Sequence, residues 1–356
     1  MIRRIPAVCA AVIALVLAPA AAGAQSADPQ GVTMSPERNS AVVLSLAQVL
    51  RERFAFPERG AAAAREIEAM EARGEFRSAA DAAALLALIE GKVAPLVNDR
   101  HFAVRYLGPD VTAGFREGPP PPEEVAAFHE EVRLRGGEVP EVRWLAGNVG
   151  YLRINMFLDA PPAAEKLAAA IGLLADTEAL IIDVRGAPGG EPAGVANAIG
   201  HLVAERTPTV RAEERFAPAE ARIYHAEPRT PAYVGKPVYV LIDGNTGSGA
   251  EEFAYDLQAM GRATLVGQTT YGAATPGGFR PLAEGFAAFI PMQVVTHTAT
   301  GANWEGVGVR PDVETPAEQA LARAHRLALD AILADAEGVR RALAEEGLAA
   351  LEAPAG

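Results

Sequence analysis

Apolar and polar residues repeat with helical spacing through the first hundred residues of the chain. Ser35 and Pro36 precede the first repeat, as expected of a helix cap and a first helical residue. Two further repeats predict helices over 57–72 and after Ser78. Together these patterns predict an N-terminal helical module over residues 25–98.

The next fifty residues show no sustained periodicity. Four consecutive prolines at 119–122 should break any regular element there. The mixed text within this stretch, 102–144, is about forty residues, too few for a domain, so we expect a linker with part of a strand region over residues 99–148. Residues 211–227 also read as a loop, one that would shape a specificity cleft.

From residue 149 onward, short apolar runs alternate with helical stretches. Alternation of this kind predicts an α/β domain with largely parallel strands, which we place at residues 149–315. The predicted strands are 149–155, 179–184, 238–242, 264–266 and a run at 286–295, and the predicted helices are 162–174, one after Pro192 and 250–260. An alanine-rich segment predicts a C-terminal helical tail over residues 316–356.

The first 24 residues have the charged, apolar and small-residue regions of a secretory signal. The apolar run, 5–18, is shorter than the roughly 18 residues that a membrane span needs. Cys9, the single cysteine, lies within this run, so the mature chain would hold no thiol. We therefore expect a secreted protein, in a bacterial periplasm, with no stable membrane span and no cysteine chemistry.

Charge excludes one class of partner. The formal net charge is -13 and the chain has three lysines, so binding to the phosphates of nucleic acid is not expected.

The spacing of the histidines and carboxylates matches no metal-binding motif such as H-E-x-x-H. We accordingly expect no metal and no cofactor.

Ser248 follows the predicted strand 238–242 and stands where the helix over 250–260 begins. Free backbone N–H groups at a helix start, with the helix dipole, can stabilise an oxyanion near the serine hydroxyl. The alternative is structural: Ser248 caps the helix, and Glu251 completes a capping box.

A second turn favours chemistry over capping. The buried run 179–184 leads into the glycine-rich turn 185–190, which a helix follows. Neighbouring parallel strands end at the same edge of a sheet, where open α/β sheets place their sites. If these two strands are neighbours, the N–H groups of Gly190 and Gly249 can form the two halves of an oxyanion hole.

Four segments resemble, in order and spacing, the C-terminal processing (tail-specific) serine peptidases. The resemblance is closest to the branch with the tricorn core and the interphotoreceptor retinoid-binding protein modules. It implies a crotonase-like fold of stacked ββα units, with Ser248 as nucleophile and Gly190 and Gly249 as oxyanion donors. The segments are 183–190, 248–251, 261–267 and 306–312.

The chain departs from the lysine branch of that family in two ways. That branch carries a lysine twenty-five residues after the serine, and Ala273 stands there in this chain. Lys236 begins the strand that leads to Ser248, about 20 Å from it at 3.3 Å per residue, so a Ser-Lys dyad is not expected. The linker is also too short for the PDZ domain that the lysine branch inserts, so we expect none.

A histidine base is the remaining choice. His101 matches the catalytic histidine of the tricorn-like branch, and an imidazole suits proton transfer from serine near neutral pH. A surface-loop histidine is the alternative interpretation. The histidines outside a matching motif are His129, His201, His225, His297 and His325.

The resemblance also supplies a partner for the imidazole. Glu305 matches the glutamate of the tricorn-like set, in which a serine directly precedes the histidine and links the two. Arg100 replaces that serine in this chain. Either Glu305 contacts His101 directly, or Arg100 diverts Glu305 into an ion pair.

These observations predict a secreted or periplasmic serine peptidase that acts on peptide or protein substrates. Two alternatives stay open because the same fold can serve other roles. One is a module that binds an apolar ligand, as the retinoid-binding relatives do. The other is an inactive peptidase fold that binds an envelope protein.

Overall fold

The computed structural model describes residues 28–116, 118–215 and 221–352, so the predicted signal segment, 1–24, lies outside the described residues. The described helices are α1 Pro36–Arg53, α2 Pro57–Ala72, α3 Ala82–Lys92, α4 Ala94–Val97, α5 Pro109–Ala113, α6 Pro122–Leu134, α7 Pro161–Leu173, α8 Pro192–Gly200, α9 Gly249–Ala259, α10 Ala320–Leu333 and α11 Gly338–Glu352.

The described strands form three sheets, with the orders β1-β10-β9, β11-β5-β6 and β12-β8-β7-β4-β3-β2. Their bounds are β1 Ala103–Tyr106, β2 Glu141–Leu145, β3 Val149–Arg153, β4 Ala179–Asp183, β5 Thr207–Glu214, β6 Arg222–Ala226, β7 Val238–Ile242, β8 Thr264–Gly267, β9 Gly277–Pro281, β10 Phe286–Pro291, β11 Gln293–His297 and β12 Val313–Glu314.

The first of two units combines the N-terminal helices with a small antiparallel sheet, β1-β10-β9. It consists of the described parts of Met1–Phe128, Glu213–Ala221 and Thr275–Val295. Helix α1 begins as predicted: Ser35 Oγ accepts the N–H of Arg38 at 3.3 Å, and Pro36 is the first helical residue. Its apolar face shares one core with α2 and α3 and with strand β10.

The second unit is built on the six-stranded sheet, in which β3, β4, β7, β8 and β12 run parallel and β2 antiparallel. All residues of β4 and β7 are buried, as expected of central strands covered on both faces. Residues of α10 such as Ala324 and Leu329 pack with Ile181 and Leu241 of the sheet. The α/β class, the parallel strands and the helical N-terminal region are thereby confirmed.

Three segments differ from the sequence predictions. The predicted linker holds α6 and β2, because Pro122 begins a helix instead of breaking one: a proline at the first helical position loses no hydrogen bond. The predicted loop 211–227 includes parts of strands β5 and β6, which pair antiparallel. The predicted strand 286–295 divides at Met292 into β10 and β11, which belong to different sheets.

The predicted tail is helical over its described residues, and these helices pack in the core of the second unit. Helices α10 and α11 bury Ala320, Ala328 and Ala344 in the same cluster as the sheet. Among the described residues, no helix is both long enough and apolar enough to cross a bilayer.

Candidate active site

Ser248 occupies a strained position between β7 and α9. Its backbone has φ of 49° and ψ of -122°, far from the extended conformation of an ordinary helix cap. A left-handed φ is uncommon for a residue with a side chain, and such strain concentrates at functional sites. Ser248 is half-buried, and Gly249 and Ala250 after it are buried. The conformation favours a chemical role over a simple cap.

The turn that follows β4 lies directly against Ser248. Strands β4 and β7 are parallel neighbours, as the oxyanion hypothesis required. A Cβ atom added to Gly189 would lie 2.6 Å from the Cβ of Ser248, and one added to Gly249 would lie 2.9 Å from the nitrogen of Gly190. The two turns therefore touch through their backbones, and only glycine permits this approach.

Two backbone donors in these turns are the N–H groups of Gly190 and Gly249. Within the described part of the chain, neither the N–H of Gly190 nor that of Gly249 donates a hydrogen bond. The groups around Gly190 are paired instead: the N–H of Phe157 donates to the carbonyl of Gly189 at 3.0 Å, and the N–H of Glu191 donates to the carbonyl of Phe157 at 2.7 Å. The arrangement leaves two N–H groups available to an anion.

Further hydrogen bonds join the two turns. Thr246 Oγ1 donates to the carbonyl of Val184 at 3.0 Å, and the N–H of Gly186 donates to Asp243 Oδ1 at 3.0 Å. At the end of β4, buried Asp183 accepts hydrogen bonds from Arg185 and Tyr151. Burial alone would raise the pKa of Asp183, but the hydrogen bonds and charge of Arg185 hold it below its ordinary value.

Glu251 connects the turn that carries Ser248 to the segment after β8. Its carboxylate accepts the N–H groups of Ser248 at 2.8 Å, Gly272 at 2.6 Å and Ala273 at 2.8 Å, and the hydroxyl of Thr270. Burial raises the pKa of Glu251, and these four hydrogen bonds oppose that effect. The sequence indicated Glu251 as a capping residue but not this wider role, because its other partners lie about twenty residues away.

Glu305 holds the same segment one residue further on. Its Oε2 accepts the N–H of Ala274 at 2.6 Å. Ala273, at the position where the lysine branch has its lysine, is buried, and its carbonyl accepts Trp304 Nε1 at 2.9 Å. Within the second unit, Glu305 is therefore a loop-holding residue, and its contact with an imidazole remains a prediction.

His101 belongs to the first unit. Its N–H donates to Asp99 Oδ1 at 2.9 Å, and its ring stacks on Phe289 of β10 at 5.7 Å between centroids. Asp99 is held in turn by Thr275, whose hydroxyl donates to Oδ2 at 2.6 Å. The loop is thus fixed within its own unit, and the pairing of His101 with Ser248 remains a prediction.

Three other histidines are buried in structural roles. His201 Nδ1 bonds the carbonyl of Pro231 at 2.6 Å, and His325 Nε2 bonds that of Ala146 at 2.8 Å. His297 Nδ1 accepts the N–H of Thr300 at 3.2 Å. Burial lowers the pKa of all three, so they stay neutral and fixed in place.

Helix α9 also buries two carboxyl groups that follow Ser248 in the sequence. Glu252 and Asp256 are 2% and 0% exposed, and His297 Nε2 lies 3.7 Å from Asp256 Oδ1. Within residues 28–116, 118–215 and 221–352, neither oxygen of Asp256 nor Oε1 of Glu252 has a hydrogen-bond partner. Burial raises the pKa of Glu252 to about 8, and burial together with the neighbouring Glu252 raises that of Asp256 well above its ordinary value.

Two family models match the chain. The model of peptidase family S41 matches residues 148–315, and that of the N-terminal domain of peptidase S41 in eukaryotic IRBP matches residues 32–133. The carboxy-terminal processing protease CtpB of Bacillus subtilis (strain 168) is 28% identical over 191 residues, 51% of this chain. Those residues span 38% of CtpB, well under two thirds of its length.

Solved structures share the fold. The photosystem II D1 C-terminal processing protease superposes with a TM-score of 0.52 at 15% identity, over 87% of this chain and 98% of that protein. A mutant of CPAF superposes with a TM-score of 0.57 at 14% identity, over 85% of this chain and 99% of that one. Likeness at such low identity concerns the fold alone.

Replacing the Glu251 carboxylate tests its connecting role. Glu251→Gln should lower the free energy of unfolding by about 1–3 kcal/mol, because an amide presents one acceptor oxygen where several buried donors converge. Urea unfolding measures the change. Glu345→Gln, at an exposed ion pair with Arg341, should change it by less than about 0.5 kcal/mol. Equal effects of the two substitutions would contradict the role.

The buried carboxyl groups predict a pH-dependent stability. The unfolded chain releases the Glu252 proton near its ordinary pKa of 4.5, whereas the folded chain holds it up to about 8. Rising pH between these values therefore favours unfolding, and the Glu252 proton contributes at most about 1.4 kcal/mol per pH unit. Glu252→Gln should match the natural protein in stability at pH 5 and exceed it by several kcal/mol at pH 8, in urea unfolding.

Exposed Glu318 provides the control for this comparison, since Glu318→Gln should leave the pH dependence of unfolding unchanged. A constant difference between Glu252→Gln and the natural protein from pH 5 to pH 8 would show that Glu252 is ionised in the fold.

Proposed function

Because the chain belongs to peptidase family S41, we propose that it is a serine peptidase that cleaves peptide bonds through an acyl-enzyme on Ser248. The observation that carries this proposal is the contact between the two glycine turns beside Ser248. It sets the N–H groups of Gly190 and Gly249, which donate to no acceptor among the described residues, next to a serine in a strained helix-start conformation. Acyl transfer needs this combination of nucleophile and oxyanion donors.

The proposed reaction has two balanced steps. Ser248 Oγ bonds to the carbonyl carbon of the substrate while its proton passes to His101, and the negative oxygen accepts hydrogen bonds from Gly190 and Gly249. The C–N bond then breaks, and His101 gives the proton to the leaving amine. In the second step water attacks the ester, His101 takes and returns a proton, and the carboxylic acid product leaves Ser248 regenerated.

His101 is the base in this proposal for two reasons. The resemblance to the tricorn-like branch assigns it, and the side chain at the lysine position is a buried alanine, Ala273. The buried histidines of the second unit are already hydrogen-bonded to main-chain groups, as described for His201, His297 and His325. Because their ring nitrogens are engaged in these bonds, the three histidines are poorer candidates for the base than His101.

A carboxylate should orient the imidazole and stabilise its charged form. We assign this role to Glu305, following the resemblance. Asp99 is the competing candidate, since its carboxylate accepts a hydrogen bond from the main-chain N–H of His101. Both Asp99 oxygens accept bonds that fix the loop, from His101 N–H and Thr275, which favours a structural role for Asp99.

The proposed setting is outside the cytoplasm, in the periplasm of a bacterium. The pattern of charged, apolar and small residues over 1–24 supports export. The named protease relatives support peptide or protein substrates.

Covalent labelling tests the nucleophile and base together. A fluorophosphonate should modify Ser248, and Ser248→Ala should abolish both labelling and casein hydrolysis, with a loss of about 10⁴-fold or more. His101→Ala should slow both to a similar extent, because the serine then keeps its proton. Ser78→Ala and His225→Ala are the matched controls and should label at the natural rate. Normal labelling of His101→Ala would assign the base to another group.

The pH profile tests the orienting carboxylate. A histidine base makes hydrolysis fall below about pH 6. Removing a nearby negative charge lowers the pKa of a histidine, so Glu305→Gln should reduce kcat and move this acid limb to lower pH. Asp99→Asn also removes a carboxylate that lies within 4.8 Å of a ring nitrogen of His101. Because the His101 main-chain N–H and the Thr275 hydroxyl already donate to its two oxygens, this substitution should move the limb less than Glu305→Gln does. The opposite result, with the limb moved by Asp99→Asn alone, would transfer the role to Asp99.

A further inference from the structure

A short segment, residues 157–159, lies against the peptide group that carries the Gly190 N–H. The segment follows strand β3 and forms one parallel bridge with Gly190. The N–H of Phe157 donates to the carbonyl of Gly189 at 3.0 Å. In a planar trans peptide the C=O and the N–H point in opposite directions. Because the Gly189 carbonyl is directed at Phe157, this bond fixes the Gly190 N–H in the opposite direction.

The conformation of the two glycines does not by itself hold this peptide group in place. Gly189 and Gly190 have φ of 137° and 142°, in the region that favours glycine. Glycine adopts both signs of φ with similar ease, so a peptide group between two glycines rotates readily unless other contacts prevent it. Here the contacts come from the 157–159 segment: a Cβ added to Gly190 would lie 2.1 Å from the carbonyl oxygen of Phe157.

Glu191 fastens the segment to the glycine turn. Its Oε2 accepts the N–H of Asp159 at 2.6 Å, and its own N–H donates to the carbonyl of Phe157 at 2.7 Å. Glu191 is the N-cap residue of helix α8, yet within the described structure its side chain makes no capping hydrogen bond to that helix. It is 9% exposed, and burial raises its pKa. Burying a carboxyl group costs free energy, so this side chain is not placed here by packing alone.

Helices α8 and α9 also contact the segment. A Cβ added to Gly194 of α8 would lie 2.7 Å from the carbonyl carbon of Phe157 and 2.8 Å from the nitrogen of Leu158. The Phe157 ring stacks on Phe253 of α9 at 4.8 Å between centroids. All these residues belong to the second unit, the unit that carries Ser248. The segment is therefore packed against the glycine turn and against the helix that begins after Ser248.

We propose that Glu191 is a positioning residue for the reaction: its hydrogen bond to Asp159 holds the 157–159 segment, and the segment aligns the Gly190 N–H with the oxyanion. This inference rests on the proposed function, because it needs an acylating Ser248. The sequence motifs end at Gly190 and assign Glu191 no role. Glu191 acts through the backbone of the segment and not by contact with the substrate.

The kinetics of fluorophosphonate labelling test this role. The phosphoryl oxygen of the probe takes the place of the oxyanion, so a misdirected Gly190 N–H should slow bond formation and leave probe binding unchanged. Glu191→Ala should lower the maximal labelling rate constant at least about tenfold, and the probe concentration at half-maximal rate should change less than about threefold. Glu191→Gln keeps an acceptor oxygen for the Asp159 N–H and should label within about threefold of the natural rate.

A second variant displaces the segment without changing Glu191. The methyl group added by Gly194→Ala should push the segment away from α8 and slow labelling at least about tenfold. Gly91→Ala is the matched control in helix α3, because among the described residues its added methyl group would meet nothing within 4 Å. It should label at the natural rate.

Thr177→Ala controls for a loss of stability alone. Thr177 is buried, and its hydroxyl donates to the carbonyl of Leu174 at 2.8 Å. It precedes β4, so it lies at the opposite end of that strand from the glycine turn. Thr177→Ala should lower the urea midpoint of unfolding and leave the maximal labelling rate constant within about threefold of the natural value.

Two sets of outcomes separate the positioning role from the chemistry. A natural maximal rate in Glu191→Ala or in Gly194→Ala would overturn the positioning role alone. Equal slowing of Glu191→Ala and Glu191→Gln, or equal slowing of Glu191→Ala and Thr177→Ala, would do the same. No labelling of Ser248 in the natural protein would overturn the proposed function, and the positioning role with it.

Discussion

The contact between two glycine turns is the constraint on which the rest of the site depends. Parallel pairing of β4 and β7 brings the turns after them to one edge of the sheet. Their backbones then approach so closely that a Cβ on Gly189, Gly190 or Gly249 would overlap a neighbour. Glycine at these positions gives up side-chain packing and lets the two backbones approach each other. Ser248 lies in the second of these turns, and its strained φ is part of the same close contact with Gly189.

Helix α9 buries three carboxyl groups, and the protein accommodates them in two ways. Glu251 is surrounded by hydrogen-bond donors, which favour its charged form. Glu252 and Asp256 lack such donors among the described residues, and burial shifts both toward the protonated form. Burying a carboxylate without partners costs several kcal/mol, so proton uptake is the cheaper solution. Hydrogen bonds therefore stabilise the buried Glu251 carboxylate, whereas Glu252 and Asp256 stay buried by remaining protonated.

The segment from Thr270 to Ala274 explains why this chain departs from the lysine branch. The N–H groups of Gly272 and Ala273 donate to Glu251, and that of Ala274 donates to Glu305. Ala273 is buried, and its carbonyl accepts a hydrogen bond from Trp304 Nε1. A lysine at Ala273 would have to leave this buried position or bury its charge. The segment is hydrogen-bonded to Glu251, which also binds the turn that carries Ser248. In the proposed reaction the proton of Ser248 passes to a side chain from another part of the chain.

The sequence by itself determined the helices and strands wherever periodicity and caps agreed, as in α1 after Ser35 and in the buried runs of β4 and β7. It also indicated Ser248, Gly190 and Gly249, because short motifs encode local turns. Only the tertiary structure decided that Pro122 begins a helix, that 286–295 divides between two sheets, and that Glu251 reaches Thr270 and Gly272. The reason is physical: hydrogen-bond partners about twenty residues apart meet only when the strands have paired, and no local sequence pattern records such a contact.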